Sequence, residues 1–414
     1  MTASGISASN SIEGVGIRRN LLEDLALKSL YLIGEMTLQE LARQMGLNLP
    51  MVEELFQRLR KDHLIHVTGM AGNVHRVTTT SGGKSRALEL LAQNQYTGPA
   101  PVSLEDYVQR IRGQSVRSMG VGPADVERAF EELVLDRQTL TQLGTALVSG
   151  RAIFLYGPTG TGKTTIAETL TKFFYDDLIW VPYAVEVDAQ IITVYDSVVH
   201  QRVDQPPVPD QDGRWVLCRR PRVMVGGELT IQMLDLQFNS STKFYSGPVQ
   251  MKANNGLLIV DDFGRQRVSP EELLNRWVVP LDRRIDFLTL AGGKKIEIPF
   301  DIFVVFATNL DPAKLVDEAF LRRIQTKIKV DFVAPEQFRE IFRRVALKYK
   351  LQYDAALADE VIRMIGQEYQ EPLRACYPRD VIQQVVWRAG YLQKDPSLNR
   401  ESLAQACSSY FLSR

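Results

Sequence analysis

Gly157-Pro158-Thr159-Gly160-Thr161-Gly162-Lys163-Thr164 is the stretch that decides the fold. It fits G-x-x-x-x-G-K-[ST] without deviation, a pattern that carries meaning only between a strand and a helix. Both flanks are present. Arg151-Ala152-Ile153-Phe154-Leu155-Tyr156 ahead of it reads as a short apolar strand, and Thr165–Phe174 behind it has helical spacing. Glycines at such a turn let backbone N–H groups face inward around phosphate oxygens, and the helix N-terminus adds positive partial charge. Lys163 is expected to reach the β- and γ-phosphates and Thr164 to ligate Mg²⁺, with Thr165 completing the predicted nucleotide contacts.

The partner strand lies further on. Leu257-Leu258-Ile259-Val260-Asp261-Asp262 is an apolar run closed by two carboxylates. In phosphate-loop NTPases the first acidic residue holds Mg²⁺ and the next polarises the attacking water, which assigns those roles to Asp261 and Asp262. A second apolar run, Ile302–Thr308, ends at Asn309, whose amide could orient water against a γ-phosphate.

In this order the motifs resemble those of an AAA+ ATPase, over the region from about Ala124 to the C-terminus. The resemblance makes the glycine loop Walker A, Asp261-Asp262 Walker B and Asn309 sensor 1. Glu318-Ala319-Phe320-Leu321-Arg322-Arg323-Ile324 resembles the segment that carries the arginine finger, with Arg323 the better-aligned residue and Arg322 beside it. Tyr377-Pro378-Arg379-Asp380 resembles sensor 2 and makes Arg379 a γ-phosphate contact. The family implies ATP and Mg²⁺ as ligands, and a homo-oligomeric ring, usually a hexamer, since an arginine finger acts on the neighbouring subunit's nucleotide.

Arg284–Leu290 and Lys294–Phe300 alternate around Ala291-Gly292-Gly293, which predicts a hairpin just before the Asn309 strand. This is similar to the pre-sensor 1 hairpin of a superclade that includes MoxR-, NtrC- and RuvB-like ATPases, with the MoxR and NtrC arrangement the better match. Asp261 follows Lys163 by 98 positions, leaving room for an insertion with Gln201–Gly213 as its expected loop. One departure bears on rate. Most hydrolytically active relatives carry Glu at the position of Asp262, one methylene longer, so slow turnover or a nucleotide-gated scaffold stands as an alternative.

The fold class expected is α/β: an AAA+ nucleotide domain, a C-terminal helical lid, and a small winged-helix-like α+β domain in front. The divisions are a flexible arm (1–16), the winged-helix-like domain (17–96), a linker (97–123), the nucleotide domain (124–334) and the lid (335–414). Leu21–Ile33, Leu38–Met45 and Pro50–His63 predict three helices, the second opened by Thr37 and Glu40 at capping-box spacing, and Leu64–Thr68 with Val74–Thr78 predict a hairpin. The lid carries four helical patterns, at about Pro335–Leu347, Ala355–Tyr369, Arg379–Leu392 and Glu401–Leu412.

Charge limits the partners. The 414 residues hold 49 Lys plus Arg against 49 Asp plus Glu, a balance that argues against coating DNA or an anionic membrane. The first hundred residues are similarly balanced, with ten basic and nine acidic side chains, and Pro50-Met51-Val52-Glu53-Glu54 puts acids at the start of the candidate recognition helix. Docking of a protein partner is therefore favoured, with DNA contact through Arg58, Arg60 and Lys61 as the alternative. No run approaches a bilayer span and no signal peptide is read, and Cys218, Cys376 and Cys407 lack metal-ligand spacing, so a cytoplasmic protein is expected.

Overall fold

The computed structural model describes residues 5–9, 11–118, 120–204, 211–315 and 321–412. Its centre is a five-stranded parallel sheet in the order Arg222–Val225, Leu257–Val260, Phe303–Thr308, Ile153–Tyr156, Thr326–Lys329. Leu257 pairs in register with both Arg222 and Phe303, and Phe306 with Phe154. Leu257–Val260 and Phe303–Thr308 are buried at every position. Unbroken apolar runs are what a parallel sheet covered on both faces requires. One face packs on Leu143, Leu147, Ile166 and Leu170, and the other on Trp277, Phe263 and Phe300. The α/β class read from the sequence holds.

Between the phosphate-loop helix and the strand Leu257–Val260, on either side of the edge strand Arg222–Val225, lies an insertion with its own core. Leu178–Pro182 runs antiparallel to Trp215–Arg219, and a second five-stranded sheet orders Gln237–Phe238, Tyr245–Ser246, Gln190–Thr193, Ala184–Val187 and Val102–Ser103. Residues 97–123, expected as a linker, supply that last strand and the helix Leu104–Gly113, with Val102, Tyr107 and Ile111 buried. The hairpin Ile285–Thr289 with Lys295–Pro299 packs Leu288, Leu290, Ile296 and Ile298 into the same core. The expected loop Gln201–Gly213 lies outside the described residues at 205–210.

The amino-terminal unit contains helices Arg19–Ile33, Leu38–Met45, Leu49–Lys61 and Ser81–Gln93 with a three-stranded sheet ordered Met36–Thr37, Val74–Thr79, Ile65–Ala71. Thr37 and Glu40 form the capping box, and Asn48 caps the third helix with Pro50 in its first turn. The described part of residues 1–16 departs from the mobile arm expected. Ile12 and Val15 are buried in this core, and Asn48 Nδ2 donates to Ser9 O at 2.7 Å. Ile6 packs on the core of the insertion as well, and its carbonyl accepts from Asp212 N at 2.9 Å. Arg214, buried with Asp212 at 2.7 Å, donates to Val15 O at 2.9 Å, and Ala184 and Ile191 of the insertion join the same core, so the two units share an interior.

The C-terminal bundle contains Pro335–Lys348, Ala355–Arg363, Tyr377–Tyr391 and Arg400–Tyr410 around Phe338, Phe342, Val361, Val381, Leu403 and Cys407. The second helix continues into a wider π turn over Met364–Glu368.

Candidate nucleotide site

The glycine loop leaves the sheet at Tyr156 and re-enters regular structure at the helix Lys163–Leu170. Its glycines are required sterically. Gly157 has φ 140° and an added Cβ would stand 2.1 Å from Val330 O; at Gly160, φ 78°, it would stand 2.8 Å from Cys376 Sγ. Lys163 Nζ donates to Gly157 O at 2.9 Å and to Pro158 O at 2.7 Å, folding the side chain back over the loop. Burial pulls the Lys163 ammonium pKa down, opposed by the carboxylates of Asp261 and Asp262.

Thr164 Oγ1 lies 3.0 Å from Asp261 Oδ2 and 3.2 Å from Oδ1, and Asp262 N donates to Asp261 Oδ1 at 3.0 Å. The strand order explains the meeting: the Phe303–Thr308 strand separates the loop strand from the acidic strand, and all three point their C-terminal ends the same way. Asp262 is exposed and sits at φ 47°, a left-handed conformation that Asp tolerates better than most side chains. Asn309, at the end of the intervening strand, donates Nδ2 to Thr159 Oγ1 at 3.1 Å, while its Oδ1 is buried with no hydrogen-bond partner among the described residues.

These residues open on a cavity of about 660 Å³. Thr159 through Thr165, Asp261, Asp262 and Asn309 form one side; Arg379 enters from the lid. Arg379 pairs with Asp380 at 2.8 Å, and Asp380 is itself held by Tyr410 Oη at 2.7 Å. Gly157 and Pro158 lie behind the lining, where their carbonyls hold Lys163. Arg323 and Arg322 do not line the cavity: Arg323 is paired with Asp282 at 2.9 Å and Arg322 is exposed. Glu318, Ala319 and Phe320 of their segment lie outside the described residues.

The far wall is what sequence reading missed. Leu133, Val134 and Leu135, with Ile341 and Val345 of the C-terminal bundle, make an apolar side, and Arg344 closes it by donating to Glu131 O and Leu133 O. Nothing in these residues forms a motif; only the strand order and the lid bring them to the loop.

The donor set fits Mg²⁺ with a nucleotide. The Thr164 hydroxyl and Asp261 carboxylate are hard oxygen ligands already within hydrogen-bonding distance, which suits an ion that keeps several waters and takes one or two protein oxygens beside phosphate. The orphaned Asn309 Oδ1 is an acceptor that a water or ligand donor would satisfy.

A family model described as a domain of unknown function, DUF8689, matches residues 334–409. Over 56 residues the chain is 39% identical to the uncharacterized protein YojN of Bacillus subtilis strain 168, a match spanning 14% of this chain and 18% of that one. Among solved structures, the RuvB Holliday junction branch migration motor of Thermotoga maritima is 14% identical with a TM-score of 0.37, covering 71% of this chain and 72% of that chain. NtrX of Brucella abortus is 12% identical with a TM-score of 0.38, covering 72% and 57%. The fold class rests on the strand order and the phosphate loop rather than on these likenesses. Among the described residues no helix is long and apolar enough to cross a membrane.

Proposed function

We propose that the chain is an AAA+ ATPase that works as a homo-oligomeric ring and couples ATP binding and hydrolysis to remodelling or assembly of a protein partner. The observation that carries the ATPase reading is the meeting of Thr164 and Asp261 at 3.0 Å beside Lys163, on a cavity that also holds Asp262, Asn309 and Arg379.

In this reading the loop N–H groups and Lys163 bind the phosphates. Thr164 and Asp261 would hold Mg²⁺, which would supply positive charge against the charge developing on the phosphates. Asp262 takes one proton of the attacking water, and Asn309 Oδ1 accepts a hydrogen bond from its remaining O–H and so orients it. Arg379 stabilises negative charge from the lid, and Arg323, with Arg322 beside it, does so for a neighbouring subunit.

The preference for a protein partner rests on the exposed face of Leu49–Lys61. Two of its charges are matched locally: Arg58 pairs with Glu23 at 3.8 Å and Glu54 with Arg19 at 3.4 Å. A DNA-tracking surface would leave such arginines facing phosphate. The test is phosphate release with ATP and Mg²⁺, with chain mass followed by light scattering and duplex DNA titrated in alongside. ATP-dependent assembly with turnover indifferent to DNA supports the proposal. A chain that stays monomeric at every concentration, or DNA stimulation that vanishes when Arg58, Arg60 and Lys61 are reversed, contradicts it.

A further inference from the structure

Thr159 stands where the sheet and the lid meet the phosphate loop. Its hydroxyl accepts from Asn309 Nδ2 at 3.1 Å, and its carbonyl accepts from Arg374 Nη1 at 3.0 Å. The next carbonyl, that of Gly160, accepts from Cys376 N at 3.1 Å. Asn309 and Arg374 belong to parts of the molecule with separate cores, and these bonds join both to one residue.

Arg374 is held on several sides. Its guanidinium lies 5.8 Å from the ring centre of Phe332 and 5.7 Å from that of Tyr377, and Nη2 pairs with Glu371 at 3.3 Å. The loop is as tightly set: a Cβ added at Gly160 would come within 3.3 Å of Arg374 Cδ as well as striking Cys376. Close-packed groups of this kind move together or not at all. Residues 374–376 run directly into the helix Tyr377–Tyr391, whose third residue is Arg379.

We infer that Thr159 is a positioning residue that couples the orientation of the Asn309 amide to the lid through Arg374, an inference that rests on reading the cavity as an ATP site. The phosphate loop needs only backbone and glycine freedom at this position of the motif, which leaves the Thr159 side chain free for a second task. With Oδ1 of Asn309 unpartnered among the described residues, the Nδ2 bond to Thr159 fixes where that acceptor points. A shift of Thr159 as the loop closes on a γ-phosphate therefore turns the Asn309 amide and pulls the segment leading to Arg379 in one motion.

The test compares amide exchange at residues 371–379 of the full chain with ATP and Mg²⁺ and with ADP and Mg²⁺, and measures steady-state turnover. The wild type is expected to exchange more slowly there with ATP than with ADP. Thr159→Val and Arg374→Ala should each erase that difference, lowering kcat about tenfold with KM within about twofold, and the double variant should be no slower than either single one. Thr159→Ser should restore both readouts. An ATP-to-ADP difference missing in the wild type or persisting in Thr159→Val would overturn the coupling, as would effects that multiply in the double variant or fall on KM alone. A wild type that does not bind ATP, or a Lys163→Ala variant that binds it equally well, defeats the nucleotide reading itself.

Discussion

Arg323 Nε donates to Asp282 Oδ2 across 2.9 Å, which ties the residue proposed to act on a neighbouring nucleotide to the helix Pro270–Arg283 of its own chain. The pair is partly exposed, and such pairs contribute about 0–1 kcal/mol, so an incoming phosphate can compete for the guanidinium. Arg323→Ala is expected to lower ATP turnover by about a hundredfold or more at protein concentrations where the ring forms, because an arginine acting in trans stabilises the transition state. Affinity of the dilute chain for ATP should change by less than about twofold. Phosphate release measured across protein concentration checks this, and turnover unaffected by Arg323→Ala with Arg322→Ala would remove the role in trans.

Asp262, one methylene shorter than a Glu would be, is exposed and sits at φ 47°. Asp262→Asn should reduce single-turnover hydrolysis by about 10²–10⁴ while leaving ATP bound. Asp262→Glu should raise the rate above that of the wild type. Hydrolysis that survives Asp262→Asn would assign the base elsewhere.

Asp286 is fully buried on the hairpin and accepts from Arg276 Nη2 at 3.1 Å, Gln250 Nε2 at 2.9 Å and Phe287 N at 2.8 Å. Three elements thus converge on one carboxylate. Removing it by Asp286→Ala leaves the largely buried Arg276 with the more exposed Asp235, at 3.3 Å, in place of a buried partner, and should destabilise the chain by about 3 kcal/mol. Urea denaturation monitored by tryptophan fluorescence measures the cost, and a loss under about 1 kcal/mol would show that the network does not hold the hairpin.

His200 gives a pH dependence. It is buried, with Nδ1 accepting from Asp196 N at 3.0 Å and Nε2 2.9 Å from Lys252 O, and burial pulls its pKa down from 6.5 to about 4. The unfolded chain takes up the proton first, so the contribution of neutral His200 is complete above pH 6.5 and is lost as pH falls through about 4. Stability should decline over that interval by up to about 3 kcal/mol more in the wild type than in His200→Gln. Parallel denaturation curves at pH 7, 5.5 and 4.5 for the two chains compare them; matching slopes would rule out His200 as the source.

The legible parts of the fold were those written in local pattern. Gly157 through Thr164, the acidic strand end, the Gly292-Gly293 hairpin and the Thr37 capping box all declare themselves within a few residues, because glycine conformation, side-chain period and cap geometry are local. What stayed hidden depends on distant partners. Val102 pairs with Val185, Cys376 with Gly160, and Arg214 with Val15, contacts that no spacing announces. The apolar wall of Leu133, Val134 and Leu135 was hidden for the same reason: its residues are unremarkable helix-flanking positions in the sequence, and only the fold sets Ile341 and Val345 beside them.

Calorimetric titration of ATP with Mg²⁺ into the wild type and into Lys163→Ala tests the central claim most directly. One ATP per chain is predicted, with affinity falling about a hundredfold when the Lys163 ammonium is removed from the phosphates. Absence of binding to the wild type, or equal affinity in Lys163→Ala, would contradict the assignment of this cavity to ATP.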